Sequence, residues 1–171
     1  ENLRYLPFVE PAIYFSSKIT VAEYIGTSVE EAMQHPNYEK YGAWYESNIW
    51  DIPDVQLCPN SFSVPSTEQI EELLAAINYE IGSLKEAGWA EIGLSDWLYP
   101  NYGATNSTGF SAKPSGVSEY PMNGTTLMMA VSNWPFDGDW GRFEINSQSQ
   151  WNWNGTQGKD NISIRCIKDT E

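Results

Sequence analysis

Residues 126–167 read TLMMAVSNWPFDGDWGRFEINSQSQWNWNGTQGKDNISIRCI, and this stretch decides the fold class. Four short β-forming runs stand out in it, at 126–131, 141–145, 150–154 and 162–167. Gly, Pro, Asn, Asp and Ser clusters separate them, as turn residues separate strands. Asn154-Gly155 is a turn signal, so the last two runs are expected to pair as a hairpin through Gly158-Lys159-Asp160. In the final run, alternation puts Ile162, Ile164 and Cys166 on one face and Ser163, Arg165 and Ile167 on the other.

Upstream the pattern changes from strand to helix. Ser66-Thr67-Glu68-Gln69 is a capping box, and Ile70, Leu73, Leu74 and Ile77 follow at helical spacing. Glu68, Glu71 and Glu72 lie on the other side and suit the positive end of the helix, which reads as a solvated face rather than a site. A second box, Thr27-Ser28-Val29-Glu30, starts a short helix that should stop before Pro36. His35 falls in its last turn, where it complements the dipole. From Ser95 to Asn123 turn residues recur every few positions, the mark of ordered loops. The expectation is one α+β domain over residues 1–171, with early helices and a late antiparallel sheet.

Composition narrows the function classes. The chain has 171 residues, one domain's worth, with 23 acids against 9 bases and a net charge of −14. Such a field repels polyanions, so nucleic acid and anionic membrane surfaces are poor partners. No apolar run approaches the ~20 residues of a membrane-spanning helix. Residues 1–100 carry 16 acids and 4 bases, whereas residues 101–171 carry 7 acids and 5 bases. Trp134, Trp140, Trp151 and Trp153, four of the eight tryptophans, lie in that nearly neutral second part. The two cysteines, Cys58 and Cys166, are too far apart in sequence for a CxxC motif, which leaves free buried thiols or one long-range bridge.

Several segments together resemble a known family. Cys58-Pro59-Asn60-Ser61-Phe62-Ser63-Val64-Pro65-Ser66 is similar to a "CPxGWxLPT" helix entry. Gly109-Phe110-Ser111-Ala112-Lys113-Pro114-Ser115-Gly116 resembles "GFSALPAG", and Ser163-Ile164-Arg165-Cys166-Ile167-Lys168-Asp169 resembles "SVRCVKD". Glu1-Asn2-Leu3-Arg4-Tyr5 resembles the tail of "MAENLRY", and Tyr38-Glu39-Lys40-Tyr41-Gly42-Ala43-Trp44-Tyr45 matches a "YxxYGxLYxW" pattern. In this order they resemble the Fibrobacter succinogenes major paralogous domain, a family of bacterial surface and secreted modules. The resemblance implies a C-type-lectin-like α+β fold with long ordered loops and an extracellular or cell-surface location. It also implies a Cys58–Cys166 disulfide, and among modes of attachment a lipid anchor upstream of Glu1. Ser61-Phe62 replaces the family's "GW", and Leu127-Met128-Met129-Ala130-Val131 stands where relatives carry an "FWSS"-like strand. The resemblance supplies no catalytic residue.

The residues themselves argue against catalysis. One histidine leaves no placeable Ser-His-Asp set, and two cysteines in a bridge leave neither a thiolate nor a closed zinc site. A hydrolase would need two converging carboxylates. Asp137-Gly138-Asp139 suits calcium in its chemistry, but position twelve of an EF-hand loop starting there is Gln148, and Asp readily stabilises turns. No cofactor or metal is assigned. The candidate site is instead the ring-rich stretch with Trp134, Phe136, Asp137, Asp139, Trp140, Arg142, Asn152 and Asn154. Indoles cover the apolar face of a sugar while Asn, Asp and Arg bond its hydroxyls. Trp134, Phe136 and Trp140 flank a glycine-bearing loop and are expected to be exposed; Trp151 and Trp153 are expected to pack in the core. The expected function is a non-catalytic binding module for a neutral glycan or a surface protein. A structural module of an adhesin or pilus-like array is the alternative.

Overall fold

A computed structural model describes residue 41 and residues 44–46, 57–117, 120–121, 124–135, 141–155 and 161–169. The second capping box, His35 and the Asp137-Gly138-Asp139 turn lie outside the described residues. Helix α1 spans Thr67–Ala76. Ser66 caps it as the sequence predicts: its hydroxyl accepts from the Gln69 N–H at 3.3 Å, and the Gln69 side chain accepts from the Ser66 N–H at 2.9 Å. Ile70 and Leu74 are buried, with Leu73 and Ile77 packed against the same cluster. The helix entry is pinned to the sheet, because Thr67 N–H donates to the Ser132 carbonyl and Ser132 N–H to that of Pro65.

The strands are β1 (Trp44–Glu46), β2 (Phe62–Ser63), β3 (Gly116–Val117), β4 (Tyr120–Pro121), β5 (Thr126–Val131), β6 (Gly141–Asn146), β7 (Trp151–Gly155), β8 (Asn161–Ser163) and β9 (Ile167–Lys168). Five of them form one sheet in the order β1-β8-β5-β6-β7. Its register aligns Met129 with Phe143 and Phe143 with Trp153. Leu127, Met129 and Val131 therefore share a face with Phe143 and Ile145, and this face meets α1. Met128 and Ala130, on the opposite face, are buried as well. β5 is covered on both sides, which explains its unbroken apolar run.

Three expectations need correction. The last two runs do not pair with each other. β7 pairs with β6 and ends the sheet, while β8 lies beyond β5. The hairpin forms instead at 146–150, where the Asn146 side-chain oxygen accepts the N–H groups of Gln148 and Gln150, each at 3.0 Å. Ser149 takes the left-handed conformation there, at φ 58°. An asparagine side chain closes this turn without a glycine. The run 162–167 is likewise not one strand. It breaks between β8 and β9, since Ser163 is buried beside Ile162 and Ile164, and its hydroxyl donates to the Met128 carbonyl. Finally, the sheet is mixed: β5 and β8 run parallel.

β9 pairs with β2, and beside that pair Cys58 and Cys166 form a disulfide with Cα atoms 5.8 Å apart. The loops between α1 and β3 are ordered by hydrogen bonds. Residues 81–84 form a buried 3₁₀ turn whose carbonyls accept from Thr105, Thr108 and Ala112. Gly82 is required there, since a Cβ would sit 2.0 Å from the Gly103 carbonyl oxygen. The Trp97 indole N–H, fully buried, donates to the Ala112 carbonyl at 2.8 Å. Arg165 lies over the Phe110 ring at 4.1 Å and donates to the Phe110 carbonyl, binding the loop to the end of the chain.

Candidate functional site

After α1 the chain reverses through Asn78 and Tyr79, both left-handed, at φ 50° and 59°. Asparagine tolerates this region, whereas for tyrosine it costs roughly 1 kcal/mol or more. Tyr79 is consequently turned outward, 51% exposed, onto Trp151 of β7. The two rings stack with centroids 6.2 Å apart and planes at 26°. Trp151 in turn meets Trp153 edge-on at 6.2 Å, and Trp153 meets Trp134 at 6.3 Å. A row of four rings thus follows the β7 side of the sheet, and Phe143 supports it from the core.

At the Tyr79 end, the row opens into a cleft of about 730 Å³ lined by Tyr79, Trp151, Asn146, Gln150, Asn152 and Glu144, with Ile81, Thr126 and Ser149 completing it. The hairpin tip is held from two sides. From inside, the fully buried Lys85 ammonium donates to the carbonyls of Asn146 and Ser147, at 3.3 and 3.0 Å, and lies over the Trp97 ring at 5.1 Å. Burial pushes this ammonium's pKa down to about 8. From outside, the Tyr102 N–H donates to the Ser147 carbonyl and the Ser149 hydroxyl donates to that of Tyr102. The cleft is therefore set before any ligand arrives, an arrangement that lowers the ordering cost of binding.

The cleft is polar without carrying free charge on its ion pair. Arg142 Nε donates to Glu144 at 2.7 Å, and the two are similarly half-buried. Asn152 is exposed, and its amide has no hydrogen-bond partner among the described residues. Gln150 is exposed, and among the described residues its side chain bonds only through Oε1, which accepts from the Asn146 amide at 3.0 Å. Amide donors and acceptors beside a stacked aromatic pair form a surface for hydroxyl-bearing, uncharged ligands.

Of the predicted site residues, Asn152 lines this cleft, and Arg142 reaches it through Glu144. Trp134 is half-buried rather than freely exposed; its ring covers Gly141, where a Cβ would lie 2.4 Å away. Asn154 is half-buried at the other end of β7. Phe136, Asp137, Asp139 and Trp140 lie outside the described residues. Trp151 and Trp153 pack against the core as expected, yet remain half-exposed. Glu71 is not merely part of a solvated face, since its carboxylate accepts the Trp153 indole N–H at 3.0 Å. Tyr79, Asn146 and Lys85 were not legible as site residues, although the Asn-Tyr pair closing the helical stripe marks where the chain must turn. Among the described residues no group of three metal-ligating side chains converges, and no helix is long and apolar enough to cross a membrane. No family model, curated protein or solved structure matches the chain.

Proposed function

We propose that this chain is a non-catalytic binding module of an exported or cell-surface protein, and that its cleft at the β6–β7 tip takes a neutral glycan. The single observation that carries this reading is the stacked Tyr79–Trp151 pair lining one cleft together with the amides of Gln150 and Asn152. The pair offers a flat apolar platform, and the amides offer both donors and acceptors. The sequence resemblance to the Fibrobacter succinogenes major paralogous domain supports a C-type-lectin-like frame for it. The disulfide is in keeping with an oxidising compartment. A glycan array probed with wild type, Tyr79→Ala and Gln150→Ala tests the reading. Binding to uncharged glycans that falls at least tenfold in Tyr79→Ala supports it; wild-type binding in both variants removes the site.

A protein-assembly role is the second reading, favoured by a separate observation. Ile92, Leu94, Leu98, Tyr99 and Tyr102 are all exposed within one loop region, Leu94 by 70%. Exposed apolar side chains grouped in this way mark interaction surfaces.

A further inference from the structure

The outer edge of β7 has no hydrogen-bonded neighbour among the described residues. Which groups it presents follows from the hairpin. Asn146 N–H donates to the Gln150 carbonyl at 3.0 Å, so this pair is hydrogen-bonded across β6 and β7. Antiparallel pairs alternate, so Glu144–Asn152 and Arg142–Asn154 are bonded pairs too. Asn152 and Asn154 therefore turn their backbone groups inward, toward β6. Trp151, Trp153 and Gly155 turn theirs outward. The strand contains no proline and no charged residue, the two devices that usually protect an edge.

We propose that β7 is a self-association edge, on which a second copy of this chain adds its own β7 antiparallel about a two-fold axis at Trp153. In that register Trp153 faces its counterpart, and Trp151 faces Gly155 of the other copy. Every outward N–H and C=O of the strand finds a partner, and the two five-stranded sheets become one continuous sheet. Asn152 faces Asn154 of the other copy, an uncharged amide pair in the closer, non-bonded position of the ladder. The choice of a second copy rests on this self-complementarity and on charge. In a chain of net charge −14, β7 is an edge strand with no ionisable side chain, so no charge on the strand itself opposes a second copy there. The charges beside that register are Glu71, bonded to the Trp153 indole, and the Arg142–Glu144 ion pair, whose members are the β6 partners of Asn154 and Asn152.

Sedimentation equilibrium over a concentration series tests the proposal. The intact chain should show a reversible dimer whose association strengthens with added salt, because screening reduces the repulsion between two acidic bodies. Asn152→Lys/Asn154→Lys sets like charges opposite each other across the axis, and should weaken association about tenfold or more. Asn152→Lys/Asn154→Glu sets opposite charges there, and should restore or exceed wild-type association. Amide exchange at Trp151 and Trp153 should slow as concentration rises. Thermal melts show whether each variant is folded, and the second variant keeps the test decisive if the first is not. A monomer at every concentration and salt overturns the proposal. So does a dimer that the two variants leave equally strong, or one that salt dissociates.

Discussion

Residues 81–115 and residues 126–155 both reach deep burial, by opposite means. The sheet buries Leu127, Met129, Val131, Phe143 and Ile145, and a regular ladder satisfies its backbone. The loop region buries Lys85, Ser83, Asn101 and Ser115 around Leu84 and Trp97. Its backbone has no ladder, and its order rests on separate bonds, such as Trp97 to Ala112 and Asn101 to the carbonyls of Glu86 and Gly88. Apolar packing is distributed, so the sheet loses stability in proportion to the volume removed. A buried polar group costs free energy unless its partner is present, so the loop region depends on individual bonds.

Mutation can break or sharpen this contrast. The largest loss is expected from Phe143→Ala, about 3–5 kcal/mol in urea unfolding, because a fully buried ring supporting both Trp151 and Trp153 leaves a cavity. Next comes a pH effect confined to the loop region. The Lys85 pKa is about 8 in the folded chain against the usual 10.5, so between these values the unfolded chain binds more protons and stability rises with pH. The gain is complete above the unfolded value and is lost as pH falls through the folded one. Its full span is about 3 kcal/mol. Lys85→Met should lack this rise, seen as a difference between variant and wild type over that window. A variant whose pH profile parallels wild type would show that the ammonium is not the buried charge of the loop region.

A smaller loss, about 1–3 kcal/mol, is expected for Trp97→Phe, which takes the indole donor from the Ala112 carbonyl, leaving it the Glu86 N–H alone, and trims a fully buried ring. If instead this substitution costs nothing, the loop region is held by packing after all, and the contrast with the sheet fails. Smallest is Ser66→Ala at the head of α1, about 1 kcal/mol by thermal melt, for the loss of one half of a reciprocal cap.

The same contrast decides what the sequence discloses. The capped stripe Ser66 to Ile77 and the strand 126–131 announce themselves, because one repeating physical cause, an apolar face, produces a periodic pattern. The β6–β7 turn did not, because Asn146 closes it with a side-chain oxygen and no glycine is needed. Nor did the Tyr79–Trp151 platform. It joins residues 72 positions apart that meet only because α1 ends in two left-handed residues. Lys85 reads as one more surface charge until Trp97 and the hairpin carbonyls enclose it. Asn152 was legible from alternation, since a strand that turns Trp151 and Trp153 toward the core turns the residue between them to the other face.

The bridge between Cys58 and Cys166 has a mechanical consequence. A pull applied to the chain before residue 58 and after residue 166 enters one sulfur and leaves by the other. The segment it encloses, with α1, the cleft and strands β2 to β8, lies outside the path of that load while the bond is intact. Tension can peel β1 from β8, or β2 from β9, but it cannot draw out the hairpin that carries the aromatic platform. Reduction of one covalent bond would convert a shielded domain into one whose every strand bears the force.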